Sequence, residues 1–385
     1  MEKYYMAAMG GADGFGNRSI EKLIKFFGSA EAGWSADIDD LILAGIQPKS
    51  LEAFIAFRGK HPNAPENLVR YCERHNFSLC SISDEDYPPI LKEIFSPPMF
   101  FYYRGKIQPH AQRIGIVGSR HNTSYGQSVA LELGEELAAA GLTVVSGAAR
   151  GIDTFAHRGA LKSGRTVAVL GCGIEIAFRS GKRKFFEEII ENGVVLSEFP
   201  PQLPPSPATF PPRNRVIAGL CRGIIVVEAG QKSGALITSK YALENNRDVF
   251  AIPGEIYAEM SEGCNELIHA GAMLVRSAQD VLDEYNIESP YKVKSEPTLF
   301  DSAPPIKDKV SVERKETKPE PKVALEGVEA EILNAIPFDR FITDEEILMQ
   351  VEDVTVNDLP GIMLKLDMNN YVVEEMGRYK RKGGG

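Results

Sequence analysis

The chain has 385 residues, of which 43 % are hydrophobic and 25 % charged, and its formal net charge is -10. At roughly 100 to 200 residues per domain the length predicts two or three domains, while the acidic balance argues against a protein that coats nucleic acid indiscriminately. Apolar runs too short for a bilayer, a start without signal-peptide order and five cysteines without a CxxC pair indicate a cytoplasmic protein with reduced thiols and no membrane contact.

Residues 1 to 75 are predicted to form a small helical domain. The stretches IEKLIKFF and LIL have helical spacing, and the glycine-rich GGADGFGNRS separates two helices. Its GFGN resembles the hairpin of a helix-hairpin-helix, whose glycines let backbone N–H groups approach a phosphate. A plain turn between helices is the other interpretation.

Residues 76 to 285 are predicted to form a second domain of the α/β class. From about residue 113, short β-branched runs alternate with helical segments, and the runs are apolar throughout, as expected for strands covered on both faces. This alternation predicts a doubly wound, mostly parallel sheet. The predicted strands are RIGIVG, LTVVSG, RTVAVL, GVVLSE, GIIVVE and RDVFAI.

The loops that follow these strands carry the predicted site. Ligands of such sheets collect at the carboxyl ends of the strands, where this chain has GSR, SGAARG, GCG, SEFP and EAGQKSG. We expect these loops to converge on one edge and to form a basic, hydroxyl-rich cleft that binds phosphates. The predicted binding residues are Gly118, Ser119, Arg120, Ser146, Gly147, Gly171, Gly173, Phe210, Arg213, Asn214, Arg215, Lys232, Ser233 and Gly234.

The segment TFPPRNRVIAGL contributes the arginines of this set. Proline excludes the αR region for the residue before it, so Phe210 and Pro211 are expected to be extended and the helix to begin near Arg213. Arg213, Asn214 and Arg215 would then lie at a helix N-terminus, where the positive potential favours an anion.

A nucleotide cofactor is not expected at the first turn of the sheet. GxGxxG is absent, and the second strand ends without an acidic residue for a ribose hydroxyl. Arg120 stands there instead, with a planar fork of donors suited to phosphate. We also find no paired carboxylates in metal-ligand spacing, no GxSxG and no phosphate-binding loop with lysine, so we predict no cofactor, no metal and no enzymatic activity.

Two features leave catalysis open. Asp153 and His157 lie four apart on a predicted helix and could work as an acid/base pair, although a helix cap and a packed histidine are the simpler interpretations. Glu198 and Glu228 stand at strand ends without a second acid beside them. The basic run RSGKRKFF could extend a nucleic-acid path, with Phe178 stacking on a base, or could be a solvated loop.

The remaining residues are predicted to be a linker and a third domain. Residues 286 to 322 are rich in proline and charge and are predicted to be a flexible linker. In 323 to 385, Leu325, Val328, Ile332 and Ile336 have helical spacing, Thr343 with Glu346 forms a capping box, and a third helix and a hairpin follow. This order suggests a winged helix-turn-helix, and the low positive charge of its third helix favours protein contact over DNA reading.

With these motifs, the chain resembles the DNA-processing protein A family, also called DprA or Smf, over nearly its whole length. The resemblance lies in YPPILKEIFSPPMFFYYRG, GIVGSR, SGAARGIDTFAHRGAL, FPPRNRVIAGL, VVEAGQKSGALITSKYALENNRDVFAIPG and GCNELIHAGA. The family implies an extended Rossmann-like domain, preceded by a helical SAM-like domain and followed by a winged helix. Pro212 replaces a frequent lysine, and Glu175, Phe178 and Arg179 replace an aspartate and a Tyr-Pro pair.

The function that this resemblance implies is single-stranded DNA binding without catalysis. It further implies a homodimer, built through the Rossmann-like domain, that protects incoming DNA and loads the RecA recombinase in natural transformation. By motif, Arg120, Arg213, Asn214 and Arg215 are the phosphate contacts, and Phe210 supplies stacking. The alternative is a nucleoside-monophosphate phosphoribohydrolase of related fold, although the PGGxGTxxE of those enzymes is here EAGQKSGALITS. A third interpretation is a scaffold for recombination proteins, without affinity for DNA.

Overall fold

A computed structural model describes residues 1–290, 328–337, 341–351, 354–355, 358–368, 371–375 and 378–382. The chain divides into two compact units, Met1–Glu296 and Pro297–Gly385. The predicted linker lies, from residue 291 onward, outside the described residues. Each unit is described by itself.

Six helices form the first part of the larger unit. Their apolar side chains share one core with one face of the sheet, where Leu23 and Phe54 belong to the same buried cluster as Tyr102 and Leu170. The glycine-rich stretch lies in the turn between the first two helices, as predicted. The helices are α1 (Glu2–Met9), α2 (Asn17–Phe27), α3 (Ala30–Ser35), α4 (Ile38–Leu43), α5 (Pro48–Lys60) and α6 (Ala64–His75).

A nine-stranded sheet, with the helices that cover it, forms the rest of this unit. All six predicted strands are confirmed. The sequence patterns did not identify β1, β2 or β9. The strands are β1 (Ser78–Ser81), β2 (Phe100–Gly105), β3 (Arg113–Val117), β4 (Thr143–Ser146), β5 (Thr166–Val169), β6 (Gly193–Ser197), β7 (Gly223–Val226), β8 (Asp248–Ala251) and β9 (Met273–Leu274).

The strand order places a switch point beside β3. The order is β1-β2-β6-β5-β4-β3-β7-β8-β9, with β3 parallel to both β4 and β7 and with antiparallel pairing confined to β1–β2 and β2–β6. The chain leaves β3 toward β4 and later returns to its other side as β7. A doubly wound sheet binds ligands outside the carboxyl ends of its strands at such a reversal.

Helices cover both faces of the sheet, which explains the uniformly apolar strands. Two further buried clusters fill these layers, one containing Val216 and Ala235 and the other containing Leu133 and Ala156. The helices are α7 (Pro89–Lys92), α8 (Ser124–Ala139), α9 (Ile152–Ser163), α10 (Ile174–Arg179), α11 (Arg183–Asn192), α12 (Phe210–Leu220), α13 (Gly234–Glu244), α14 (Glu262–His269) and α15 (Ala278–Glu284).

The predicted start of α12 is wrong by three residues. The helix begins at Phe210, which has φ −74° and ψ −47° although a proline follows it. Pro211 and Pro212 lie in the first turn, where backbone N–H groups have no partner within the helix, so their missing N–H groups cost little. At Phe210 the fold overrides the steric preference of a residue before proline for extended backbone.

The smaller unit has three helices and a three-stranded sheet in its described residues. Its elements are α16 (Val328–Ala335), β10 (Ile342–Thr343), α17 (Asp344–Leu348), α18 (Leu359–Met368), β11 (Val372–Glu375) and β12 (Arg378–Arg381). The capping box is confirmed, because Thr343 N–H donates to Glu346 Oε2 at 3.0 Å and Glu346 N–H donates to Thr343 Oγ1 at 3.3 Å. The hairpin is confirmed as β11 and β12. Leu325 lies outside the described residues.

All five cysteines are free thiols, as predicted, and four of them are buried. Among the described residues, no helix combines the length and the apolar character that crossing a bilayer requires.

Candidate nucleic-acid interface

A cleft of about 730 Å³ lies at the switch point of the sheet. Its walls are the loop after β3, the start of α12, the loop after β7 with the start of α13, and a turn before α14. We call it the switch cleft. Its lining includes Gly118, Ser119, Arg120, His121, Ala149, Asp153, Phe210, Pro211, Arg213, Asn214, Ile217, Gln231, Lys232, Ser233, Gly234, Thr238, Glu259 and Glu262.

Arg120 and Phe210 form a cation–π pair in this cleft. The Arg120 guanidinium carbon lies 4.4 Å from the ring centroid, and its side chain is exposed while Phe210 is half-buried. The preceding residue is fixed, because Ser119 N–H donates to Glu228 O at 2.7 Å. Gly151 approaches from the other side with φ +91°, and a Cβ there would lie 2.3 Å from Ser119 O. The pair therefore presents donors and an aromatic face from a rigid base.

Arg213 reaches the floor of the cleft but is bound from within. It is 5 % exposed, and its Nη1 donates to Gly147 O at 2.5 Å and to Val169 O at 2.9 Å. Burial lowers the pKa of this guanidinium, whereas the charge of Asp153 raises it. Arg213 thus ties the loop after β4 to the end of β5, and it also lines the cleft.

The predicted phosphate contacts Arg213, Asn214 and Arg215 do not all line one cleft. Residues two apart on a helix point about 200° apart, and Arg215 does not line the switch cleft. Its Nη2 binds both carboxylate oxygens of Glu198, at 2.5 and 2.7 Å, and its Nη1 donates to Ser96 O at 2.8 Å. Asn214 Nδ2 donates to Gly234 O at 3.2 Å, across to the start of α13.

Four small predicted residues lie beneath the cleft instead of lining it. Ser146 Oγ donates to Ile116 O at 2.6 Å, and Gly147 N–H donates to Asp153 Oδ2 at 3.1 Å. A Cβ on Gly171 would meet the Phe210 ring at 2.8 Å, and one on Gly173 would meet Pro201 O at 2.2 Å. Protein atoms already fill the space at the carboxyl ends of β4 and β5. These glycines therefore allow close packing and leave no room there for a phosphate.

The loop after β7 does line the cleft as predicted. Lys232 is exposed at its edge. Ser233 caps α13, since its Oγ accepts from Ala235 N–H at 3.3 Å, and Gly234 starts the helix. This loop adds one cation and a helix N-terminus to the lining of the cleft.

The start of α8, where a dinucleotide fold would hold pyrophosphate, is occupied by Glu228. Its Oε2 accepts from Thr123 N–H at 2.9 Å and its Oε1 from Thr123 Oγ1 at 2.5 Å. A Cβ on Gly126 would lie 2.3 Å from this carboxylate. A buried carboxylate at that helix start repels a phosphate, which agrees with the missing nucleotide fingerprint.

The proposed acid/base pair is not arranged for catalysis. His157 is fully buried beside β5, with Nδ1 2.6 Å from Thr166 Oγ1, and burial lowers its pKa to about 3. The expected packing against a strand is confirmed. Asp153 accepts from Gly147 and Ala149 N–H groups, so it closes the loop before α9 and the predicted cap of that helix is wrong. Burial raises the pKa of Asp153, and Arg213 opposes that rise.

The sequence interpretation missed several lining residues, including two acids. Glu259 and Glu262 line the cleft together with His121, Gln231 and Thr238, so the cleft carries acidic groups beside the predicted basic ones. The two acids follow β8, and the rule on carboxyl ends, applied to that strand as well, would have found them.

The basic run after α10 is mostly engaged in local contacts. Arg179 pairs with Glu175 at 2.9 Å and Arg183 with Glu187 at 2.7 Å. Lys182 Nζ donates to Ala148 O at 3.0 Å, and burial lowers the pKa of this amine. Lys182 thus supports the loop that Arg213 holds from the other side.

A family model described as DNA recombination-mediator protein A matches residues 78–286. The chain is 34 % identical over 401 residues to Protein Smf of Synechocystis sp., with 99 % of both chains covered. It is 43 % identical over 219 residues to the DNA processing protein DprA of Streptococcus pneumoniae, covering 55 % of this chain and 76 % of that one.

Two solved structures are similar to the chain. The X-ray structure of DprA from Streptococcus pneumoniae has a TM-score of 0.64 at 36 % identity and covers 74 % of this chain and 98 % of that one. DprA of Helicobacter pylori, described for its single-stranded DNA binding mode, has a TM-score of 0.50 at 26 % identity and covers 56 % of this chain and 99 % of that one. These similarities support the α/β fold with a mostly parallel central sheet.

Proposed function

The chain belongs to the DNA recombination-mediator protein A family, and on that premise we propose that it binds single-stranded DNA in the switch cleft. The observation that carries this proposal is the exposed Arg120 stacked on Phe210, with its guanidinium carbon 4.4 Å from the ring centroid, in a cleft that Lys232 also lines. Proteins that bind a single strand by its backbone place cationic side chains along the phosphates and aromatic rings on which the bases stack. The described DNA binding of the Helicobacter pylori relative supports the same ligand.

The predicted DNA contacts divide into two roles. Arg120, Lys232 and Phe210 contact the strand. Arg213, Asn214, Ser119, Ser233 and the glycines of the set hold these groups in place. Gly118 belongs to this second group, because a Cβ there would lie 2.7 Å from Ile152 Cγ1. Arg215 lies outside this cleft, where it binds Glu198 and Ser96 O. Because these contacts meet phosphates and ring faces, which every nucleotide has, we expect little sequence preference.

The wider role is DNA processing, as the names of the relatives suggest. The protein would protect incoming single strands in the cytoplasm, act as a homodimer and load the RecA recombinase during natural transformation. We assign residues 1–75 to a SAM-like domain, 76–285 to the Rossmann-like domain and 323–385 to a winged helix that contacts protein.

A titration of labelled single-stranded and double-stranded oligonucleotides tests the binding proposal. We expect saturable binding of the single strand, weaker binding of the duplex, and loss of affinity with salt because bound counterions are released. Absence of single-strand binding would contradict the proposal and favour the scaffold interpretation.

The phosphoribohydrolase remains the alternative. The PGGxGTxxE glutamate of those enzymes has no counterpart in EAGQKSGALITS, and the one acid of that segment, Glu228, is hydrogen-bonded to Thr123. Binding without hydrolysis is therefore the function that we favour.

A further inference from the structure

A second cleft of about 770 Å³ opens between the glycine-rich turn of the N-terminal helices and the α12–α13 side of the sheet. We call it the hairpin cleft, and its lining includes Arg18, Lys22, Phe95, Arg215, Tyr241 and Asn245. We propose that it is a second subsite for single-stranded DNA, in which a base stacks on Phe95 and phosphates meet Arg18 and Lys22. The proposal rests on the proposed function and extends the strand's path onto the N-terminal helices.

Phe95 is held in solvent by a rigid backbone. Its side chain is 78 % exposed, although burial of a phenylalanine is favourable. Its N–H donates to Asn245 Oδ1 at 2.9 Å, and the next residue, Ser96, has φ +82° with its carbonyl bound by Arg215. A non-glycine residue in this region is strained, and such strain is concentrated at functional sites. The fold therefore keeps this ring exposed to solvent.

Two cationic side chains lie in the same cleft as the Phe95 ring. The Arg18 guanidinium carbon lies 5.0 Å from the Phe95 ring centroid, and Arg18 and Lys22 are both exposed. Glu244, the acid in the lining of this cleft, lies 3.8 Å from Lys240, and Glu198 binds Arg215. An aromatic ring beside an exposed arginine repeats the Arg120–Phe210 combination of the switch cleft, and it suits bases and phosphates together.

The network beneath the cleft joins the two parts of the unit. Asn17 Nδ2 donates to Glu198 Oε1 at 2.5 Å, and its Oδ1 accepts from Met99 N–H at 3.0 Å. Glu198 also binds Arg215. The GFGN stretch is thereby fixed against the sheet, and Arg215 positions the loop of Phe95 from below.

The two clefts are joined by α13. Ala235 and Thr238 of this helix line the switch cleft, and Tyr241 and Asn245, at its end, line the hairpin cleft. From Thr238 to Tyr241 the helix rises about 4.5 Å, so one strand can pass from the first subsite to the second along this helix. This continuity favours a single strand over a separate ligand.

Two oligonucleotide lengths separate the subsites. A strand of about 6 nucleotides lies near the lower end of the usual footprints of about 4 to 16 nucleotides, and a strand of about 24 nucleotides exceeds them. For the full chain, we expect Phe95→Leu or Arg18→Gln to weaken binding of the long strand at least about fivefold, at the low end of stacking energies, and to leave the short strand unchanged. Phe26→Leu and Lys25→Gln, exposed residues of α2 outside the cleft, are matched controls.

A fluorescence readout tests the contact directly. The native Trp34 is 6 % exposed and supplies a constant background, so Phe95→Trp reports on stacking at the cleft. The long strand should quench the new indole, and the short strand and a duplex should not. If the wild type binds the long strand but Phe95→Leu and Arg18→Gln bind it equally well, the subsite is refuted while the proposed function stands. If the wild type binds no strand, both fail.

Discussion

The Arg120 guanidinium lies 4.4 Å over the Phe210 ring although the two residues come from different loops of the sheet, one after β3 and one at the start of α12. Each is placed by contacts beneath it, Arg120 through Ser119 and Phe210 through Gly171. The pair brings hydrogen-bond donors for a phosphate, and a ring on which a base can stack, to one point of the switch cleft.

Replacing the ring should weaken binding without changing its dependence on salt. Phe210→Leu removes a stacking face but no charge, so we expect a loss of about 1 to 3 kcal/mol for every sequence and an unchanged salt slope. Fluorescence anisotropy at several salt concentrations measures both. Phe210→Tyr, which keeps the ring, should bind as the wild type does. A steeper or shallower slope for Phe210→Leu would count against a purely stacking role.

Arg213→Ala should lower the free energy of unfolding by about 3 to 5 kcal/mol, because it leaves buried carbonyls unpaired and the Asp153 carboxylate uncompensated. Urea denaturation at pH 7 measures this loss. Arg120→Ala, at an exposed position, should change the free energy by less than about 0.5 kcal/mol. Adding Asp153→Asn to Arg213→Ala should recover part of the stability. Equal stability of Arg213→Ala and the wild type would show that Arg213 does not brace the fold.

Because His157 is buried, we expect the free energy of unfolding to fall as the pH is lowered. Its pKa is about 3 in the folded protein and about 6.5 when unfolded, so between these values the unfolded chain binds one more proton and stability rises with pH. From pH 7.5 to 5.5 the wild type should lose about 1.4 kcal/mol relative to His157→Gln. The other histidines are common to both proteins and cancel. Parallel pH profiles in urea would mean that the pKa of His157 is the same in the folded and unfolded chains.

Nucleoside monophosphates should not be cleaved. The Glu228 carboxylate is bound to Thr123 at the start of α8, where it repels a phosphate and has no free oxygen directed at a substrate. Incubation with each monophosphate followed by chromatography should show no free base above the protein-free control. Release of base that is abolished by Glu228→Gln would favour the phosphoribohydrolase interpretation instead.

The sequence predicted the sheet better than the side-chain roles. The six strands were found because burial on both faces makes parallel strands apolar throughout, and the site edge followed from where such strands end. β1 and β2 were missed, because SLCS and FFYYRG belong to the antiparallel edge and lack the helix alternation that marked the others.

The roles of the arginines could not be read from one segment. Arg213 and Arg215 are two residues apart, but their partners are Gly147, Val169, Ser96 and Glu198, which belong to other loops. The start of α12 likewise depends on Thr209, whose hydroxyl donates to Gly171 O at 2.6 Å and fixes the turn before the helix. Phe95 gave no signal, because exposure of a ring is a property of the folded loop.

The most direct test compares the salt dependence of single-strand binding between the wild type and Arg120→Ala. If Arg120 neutralises a phosphate, the plot of log affinity against log salt should be about 0.7 less steep for the variant. Arg165→Ala, at the amino-terminal end of β5, should keep the wild-type slope. A flat plot for the wild type, or the same slope for wild type and Arg120→Ala, would contradict phosphate binding in the switch cleft.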